Sequence, residues 1–188
     1  TLFRSLRRKA QLLAHRPDLT VLDLRGNVDT RLKKLDDGEY DAIILAEAGL
    51  RRLGLSQRIT QLLPTDTMIP AVGQGALAIE TRADDEALKS ALSFLCSDDT
   101  TAATIAERSF LAAINGSCQV PVGVYGRVND GQLTLSCIIA APDGSRVFRH
   151  QATGPASGSI AIGQKAARTL LDQGGRQILT DLGITPAE

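Results

Sequence analysis

The stretch "VPVGVYGRVNDGQLTLSCIIAAPDGSRVFRHQAT", residues 120–153, decides the fold of the second half of the chain. Its hydrophobic residues recur with a period of two, most plainly at Leu133, Leu135, Cys137 and Ile139, so that one face of each strand is apolar. "NDG" and "PDGS" interrupt the pattern with the residues that tight hairpin turns demand, since Asp, Asn and Gly tolerate positive φ. Three antiparallel strands joined by two hairpins follow.

The flanks of this stretch change period. Residues 100–115 read as a helix, with Asp98 or Asp99 as N-cap and Gly116 as its stop, and a last helix runs from about Ser159 to Gln173 before Gly174-Gly175. Helices on one face of a three-stranded antiparallel sheet make an α+β module. Upstream, Ser5–His15 is a basic amphipathic helix ended by Pro17, "TVLDL" (20–24) a strand, "VDTRLKKLDDG" a helix closed by Gly38, and "DAIILA" (41–46) a strand apolar on both faces. A short helix with Arg51 and Arg52 continues this α/β layer. Pro64, Pro70 and "PAVGQGALAIE" then break the pattern, which places a domain boundary near residue 70. Ala76–Glu80 reads as an extended crossing segment, and Asp84–Cys96 as a helix.

Composition narrows the function classes. No run nears the roughly 20 apolar residues of a membrane helix, and the first residues lack a secretory pattern, so a cytoplasmic location is expected. Three cysteines without a CxxC pair and two histidines exclude a disulfide framework and predict no metal site. The formal net charge is zero, but residues 1–58 hold 12 Lys+Arg against 8 Asp+Glu and the rest 9 against 13. Arginine outnumbers lysine 16 to 5, and guanidinium grips carboxylate through paired hydrogen bonds, so an anionic ligand is indicated. Nucleic acid is disfavoured by an aromatic content of 3% and by basic residues that alternate with acids.

The candidate anion binders are Arg7, Arg8, Arg25, Arg31, Arg51 and Arg52. Arg25 stands where a strand gives way to a helix, and Arg31 lies on the first turn of that helix, so both can converge on one carboxylate-bearing ligand. "VGQGA" lacks the lysine of a phosphate loop and reads as a hinge or close backbone crossing. Cys137 and Cys96 read as core residues, His15 and His150 as surface ones. Cys118, in "INGSCQVPVG", lies on no apolar stripe. The preceding helix C-terminus does nothing to favour a thiolate, which leaves three readings: passive turn residue, redox thiol, or permanent attachment point.

Taken together, "ERSFLAAINGSCQVPVG" (107–123) resembles the cofactor-attachment signature of the porphobilinogen deaminase (hydroxymethylbilane synthase) family. "SLRRKAQL", "LRGNVDTRLKKLDDGEYDAIILAEAGLRRLGL" and "PAVGQGALAIE" are similar to family segments in the same order. The resemblance covers nearly the whole chain. It implies a cytoplasmic transferase of haem and chlorophyll precursor synthesis that condenses four porphobilinogen units into hydroxymethylbilane, releasing ammonia at each step. The primer would be a dipyrromethane cofactor held by a thioether to Cys118. Ser5, Arg7, Arg8, Arg25 and Arg31 would hold cofactor carboxylates, with Arg25, Arg31, Arg52 and Gln74 meeting the substrate.

The implied fold is an incomplete periplasmic-binding-protein-like α/β layer plus the α+β domain. Residues 1–69 would be part of domain 2, 70–97 a hinge with the returning strand and helix of domain 1, and 98–188 domain 3. Two departures stand out: the family's "HSMKD"-type aspartate has no equivalent among these residues, and "TLFRS" stands where a Gly-Thr-Ser type lead is usual. These 188 residues are therefore expected to be the C-terminal two-thirds of such an enzyme, without its catalytic aspartate and inactive alone. The full-length protein is expected to be a monomer with no membrane or nucleic-acid partner. The alternatives are a non-catalytic anion-binding domain of the periplasmic-receptor type and a nucleic-acid-binding module using the arginine-rich first third.

Overall fold

The computed structural model describes residues 5–116 and 120–186. Strands β1 (Val122–Asn129), β2 (Gln132–Ala140) and β3 (Val147–Pro155) form one antiparallel sheet in that order, with Val124 opposite Cys137 and Cys137 opposite His150. The first hairpin turns through Asp130 (φ 51°) and Gly131 (φ 72°), the two left-handed residues a twist-compatible two-residue turn requires.

One face of the sheet is the core. Val122, Val124, Leu133, Leu135, Cys137 and Ile139 pack against Ala103, Ala106 and Phe110 of α5 (Asp98–Ala113) and Ala166, Ala167 and Leu170 of α6 (Ser159–Leu170). The two helices approach closely at Gly163, where a Cβ would stand 2.2 Å from the Ala106 carbonyl oxygen. Beyond α6 the chain kinks at Gly174 (φ 121°) into α7 (Arg176–Asp181), whose Ile178 and Leu179 close the core.

The opposite face is covered at one end by α1 (Leu6–His15). Ala10 and Ile69 pack on Ile138 and Ala140, and Gly144 lies against the α1 backbone, where a Cβ would come within 2.5 Å of the Ala14 nitrogen. Residues 69 and 70 cross β1 at Gly123, the only residue type that lets Ile69 come so near, and the Val124 N–H donates to the Pro70 carbonyl at 3.0 Å. Helices α2 (Val28–Asp36), α3 (Glu47–Arg52) and α4 (Glu86–Leu92) complete the helical elements among the described residues, along with single 3-10 turns at 56–58, 93–95 and 156–158 and a π-helical stretch, Leu171–Gly175, between α6 and α7.

Several expectations are corrected. Residues 20–24, 41–46 and 76–80 are not strands: no ladder partner lies beside them among the described residues, and Leu22, Leu77 and Ile79 are exposed. An apolar run becomes a strand only when neighbouring strands take its backbone groups. The α/β layer is therefore not present as a sheet. Helix α5 is capped by Ser97, whose side chain accepts from the Thr100 N–H, with Asp98 and Asp99 inside its first turn. Its end is a Schellman motif in which Asn115 (φ 49°), not Gly116, is left-handed, with Gly116 N–H bonded to Leu111 O and Asn115 N–H to Ala112 O. The expected helix to Cys96 stops at Leu92 and continues as a 3-10 turn. Cys96 is exposed, as are Phe94 and Leu95, whereas Cys137 is buried.

Candidate functional site

The first turn of α1 carries two adjacent cations and no acid, an unfavourable arrangement at the positive end of a helix dipole. Ser5 starts the helix as N-cap, accepting the Arg8 N–H at 3.4 Å. Arg7 points inward and is 8% exposed. Its Nη1 donates to the Ile69 carbonyl (2.7 Å) and its Nη2 to Gln74 Oε1 (3.0 Å). Arg8 is half-buried, donates to the Ile44 carbonyl at 3.2 Å, and lies close enough to Arg31 of α2 to feel its charge.

No carboxylate balances these three guanidinium groups among the described residues. Arg16, Arg51, Arg58, Arg82 and Arg146 each pair with an aspartate or glutamate at the surface, but Arg7, Arg8 and Arg31 do not. Burial, with Arg8 alongside, lowers the Arg7 pKa to about 10, and burial with Arg31 alongside lowers that of Arg8. Arg31 Nε is buried without a hydrogen-bond partner among the described residues. Desolvated, mutually repelling cations with an unused donor are costly unless an anion joins them. The donor set fits a ligand bearing several carboxylates, which is the chemistry of a dipyrromethane side-chain array.

The glycine turn is tied to this cluster. Gly73 (φ 68°) and Gly75 (φ 94°) bracket Gln74 in consecutive turns, and a Cβ at either glycine would meet open space, so they serve conformation and not close approach. Gln74 Oε1 also accepts from the Ala71 N–H at 3.3 Å. On the far side stands Glu107 of α5, a buried carboxylate that accepts from the Gly73 N–H through Oε2 (2.6 Å) and from the Gly126 N–H of β1 through Oε1 (2.8 Å). Burial raises its pKa; the two N–H donors and Arg108 oppose that shift without cancelling it.

The structure thus brings Arg7 and Gln74 together, places Arg8 beside Arg31, and sets Ser5 at the helix start. Arg25 is exposed before the Gly26 turn and Arg52 is exposed at the end of α3, and the two side chains are not among those brought into the cluster. Cys118 lies outside the described residues. Its described flanks are anchored: Asn115 Nδ2 donates to the Thr185 carbonyl at 3.1 Å, and Val120 and Pro121 are buried.

Two polar residues escaped the sequence reading. Gln11 is fully buried and pairs with the Ile69 backbone like a strand neighbour, Oε1 accepting from its N–H (2.8 Å) and Nε2 donating to its carbonyl (3.0 Å). Glu107 is the other. Both sit at helical spacing on a buried face, Gln11 four residues from Arg7 and Glu107 between Ala103 and Phe110, and a polar residue breaking such a stripe was the available signal.

Comparison with known proteins gives the family. Residues 3–90 match the family model "Porphobilinogen deaminase, dipyromethane cofactor binding domain", and residues 101–172 match "Porphobilinogen deaminase, C-terminal domain". The porphobilinogen deaminase of Desulforudis audaxviator is 51% identical over 175 residues, and that of Chromobacterium violaceum 53% over 175, each match covering 93% of this chain and 57% of the relative. A relative of the same name from an Exiguobacterium species is 51% identical over 179 residues. The chain spans a little over half the length of these curated relatives. Neither a receptor nor a nucleic-acid module is favoured by these matches, and the chain belongs to the porphobilinogen deaminase family.

Proposed function

We propose that this chain is part of a cytoplasmic hydroxymethylbilane synthase, a transferase that condenses four porphobilinogen units into hydroxymethylbilane with release of ammonia. The observation that carries the reading is the uncompensated cluster Arg7, Arg8 and Arg31 with the buried free Nε of Arg31. Each pyrrole of the substrate bears an acetate and a propionate, so a growing chain brings two negative charges per ring to meet those cations. When bound, a dipyrromethane would supply a nucleophilic pyrrole carbon to which successive rings are joined. Cys118 is its proposed thioether anchor, and Ser5, Arg7, Arg8, Arg25 and Arg31 its carboxylate contacts. Arg25, Arg31, Arg52 and Gln74 are assigned to the incoming substrate.

Arg7 and Gln74 would meet their ligands from fixed positions with the polar atoms they have left, since each already bonds the other and the Ile69–Ala71 backbone. Arg8 and Arg31 have more donors to spare and more freedom to turn toward a ligand. In the proposed division, residues 1–69 belong to domain 2, 70–97 to the returning strand and helix of domain 1, and 98–188 to domain 3. A periplasmic-binding-like layer would then take up the extended runs 20–24, 41–46 and 76–80. Because those runs have no ladder partners among the described residues, the 188 residues alone are proposed to be inactive.

Intact mass tests the anchor. A full-length family protein carrying these residues, expressed where porphobilinogen is made, should show a dipyrromethane-sized adduct that disappears in Cys118→Ser; an unmodified mass would overturn the reading. Incubating the purified 188-residue chain with porphobilinogen should give no hydroxymethylbilane, and its formation would sink the claim of inactivity.

A further inference from the structure

We propose that Glu107 is a positioning residue for the arginine cluster, acting on Arg7 through the Gly73–Gln74 turn. The inference rests on the carboxylate-binding reading above and names a residue which that reading does not use. Glu107 is the one buried acid among the described residues. Its two oxygens take the N–H groups of Gly73 and Gly126, residues 53 apart in the chain, so one side chain fastens the glycine turn to the outer edge of β1. An apolar residue of similar size would fill the same volume against Ala103 and Phe110. A carboxylate is needed only if both N–H groups must be held.

The next link is Gln74, which follows Gly73 directly. Its Oε1 takes one N–H from Arg7 and the N–H of Ala71, so the direction of the Arg7 guanidinium is set by where the turn stands. Arg7 in turn lies beside Arg8, and Arg8 beside Arg31. The same α5 helix that carries Glu107 ends at Ala113, five residues before Cys118 in the sequence. One carboxylate therefore fixes the separation between the helix leading to the proposed anchor and the cations that would meet the carboxylates of what is anchored there.

The test uses side-chain nitrogen NMR of the arginine guanidinium groups and amide exchange at Gly73 in the full-length protein carrying these residues, alongside titration with porphobilinogen. Glu107→Gln keeps the volume but presents an amide NH2 to one of the two N–H donors. It should speed exchange at Gly73, average the Arg7 guanidinium signals, and weaken porphobilinogen binding about tenfold. Gln74→Ala, which leaves Glu107 untouched, should loosen Arg7 in the same way, and the double variant should be no worse than the more affected single one. Unchanged Arg7 signals in either single variant, or additive losses in the double, would overturn the proposal. Should the wild-type chain bind no porphobilinogen, the carboxylate-binding reading fails, while the Arg7 signals still decide the role of Glu107. If Glu107→Gln does not fold, Glu107→Asp, which keeps the charge but is too short to span both N–H groups, replaces it in the same comparison.

Discussion

Arg7 and Gln74, 67 residues apart in the chain, meet through a 3.0 Å bond from Nη2 to Oε1, and this contact fastens helix α1 to the glycine turn. The cation is held from the side of the protein by amide and backbone oxygens, not by a counter-charge. What remains of its field is available to a ligand.

Replacing Arg8 by methionine removes one of the mutually repelling buried cations while keeping most of the apolar volume. Stability to urea should change by less than about 1 kcal/mol, because an unpaired buried charge exchanged for an apolar group is close to neutral or favourable. Porphobilinogen affinity should fall at least roughly tenfold. A variant that loses stability but binds normally would remove Arg8 from the site.

Gln11→Ala should cost about 2 kcal/mol in urea unfolding, because the buried Ile69 N–H is left without its acceptor. A loss below roughly 0.5 kcal/mol would mean that another group takes the bond.

Gly163→Ala is expected to destabilise by about 2 kcal/mol or more. The new methyl would stand 2.2 Å from the Ala106 carbonyl oxygen, so α5 and α6 must separate. Thermal melts of this variant and of Gly131→Ala separate two causes: at Gly131 the space is open, and the strain of a left-handed alanine is the whole cost.

The pH dependence should carry the mark of Glu107. Its pKa lies above the ordinary 4.5 because burial disfavours the charge. A carboxyl that holds its proton more tightly in the folded chain than in the unfolded one contributes stability below its unfolded pKa and loses it as pH rises through the folded value. The stability difference between wild type and Glu107→Gln should therefore shift against the wild type as pH rises from the ordinary carboxyl range through the raised folded value. Urea midpoints across that range check it, and a difference that stays constant, or moves the other way, would show that the two N–H donors outweigh burial.

The second half of the chain was legible because its signals are local. "NDG" dictates a left-handed pair at Asp130 and Gly131, and alternate apolar residues choose the buried face of β2, so strands and register follow from neighbours in sequence. The runs at 20–24 and 41–46 carry equally strong strand composition, yet a strand exists only with a partner, and partners are not encoded in the run itself. Cys96 was misplaced for a related reason: Phe94 and Leu95 beside it looked like core but have nothing described to pack on. At the end of α5, glycine in sequence suggested the left-handed position, whereas Asn115 takes it and Gly116 does not have positive φ. Of the site, the arginines were legible by type and motif. Their lack of counter-charges, and the parts of Gln11 and Glu107, depend on contacts between distant segments and became visible only in three dimensions.

The outer edge of β1 has a consequence for self-association. Its Val124 N–H is taken by the Pro70 carbonyl and its Gly126 N–H by Glu107, so two central donors that a second molecule would need to extend the sheet on that side are already satisfied. Intermolecular strand growth, the usual route from an open sheet edge to fibres, is thereby hindered at the middle of β1, and β3 forms the other edge of the sheet. Loss of the Glu107 carboxylate would open a second front for polymerisation.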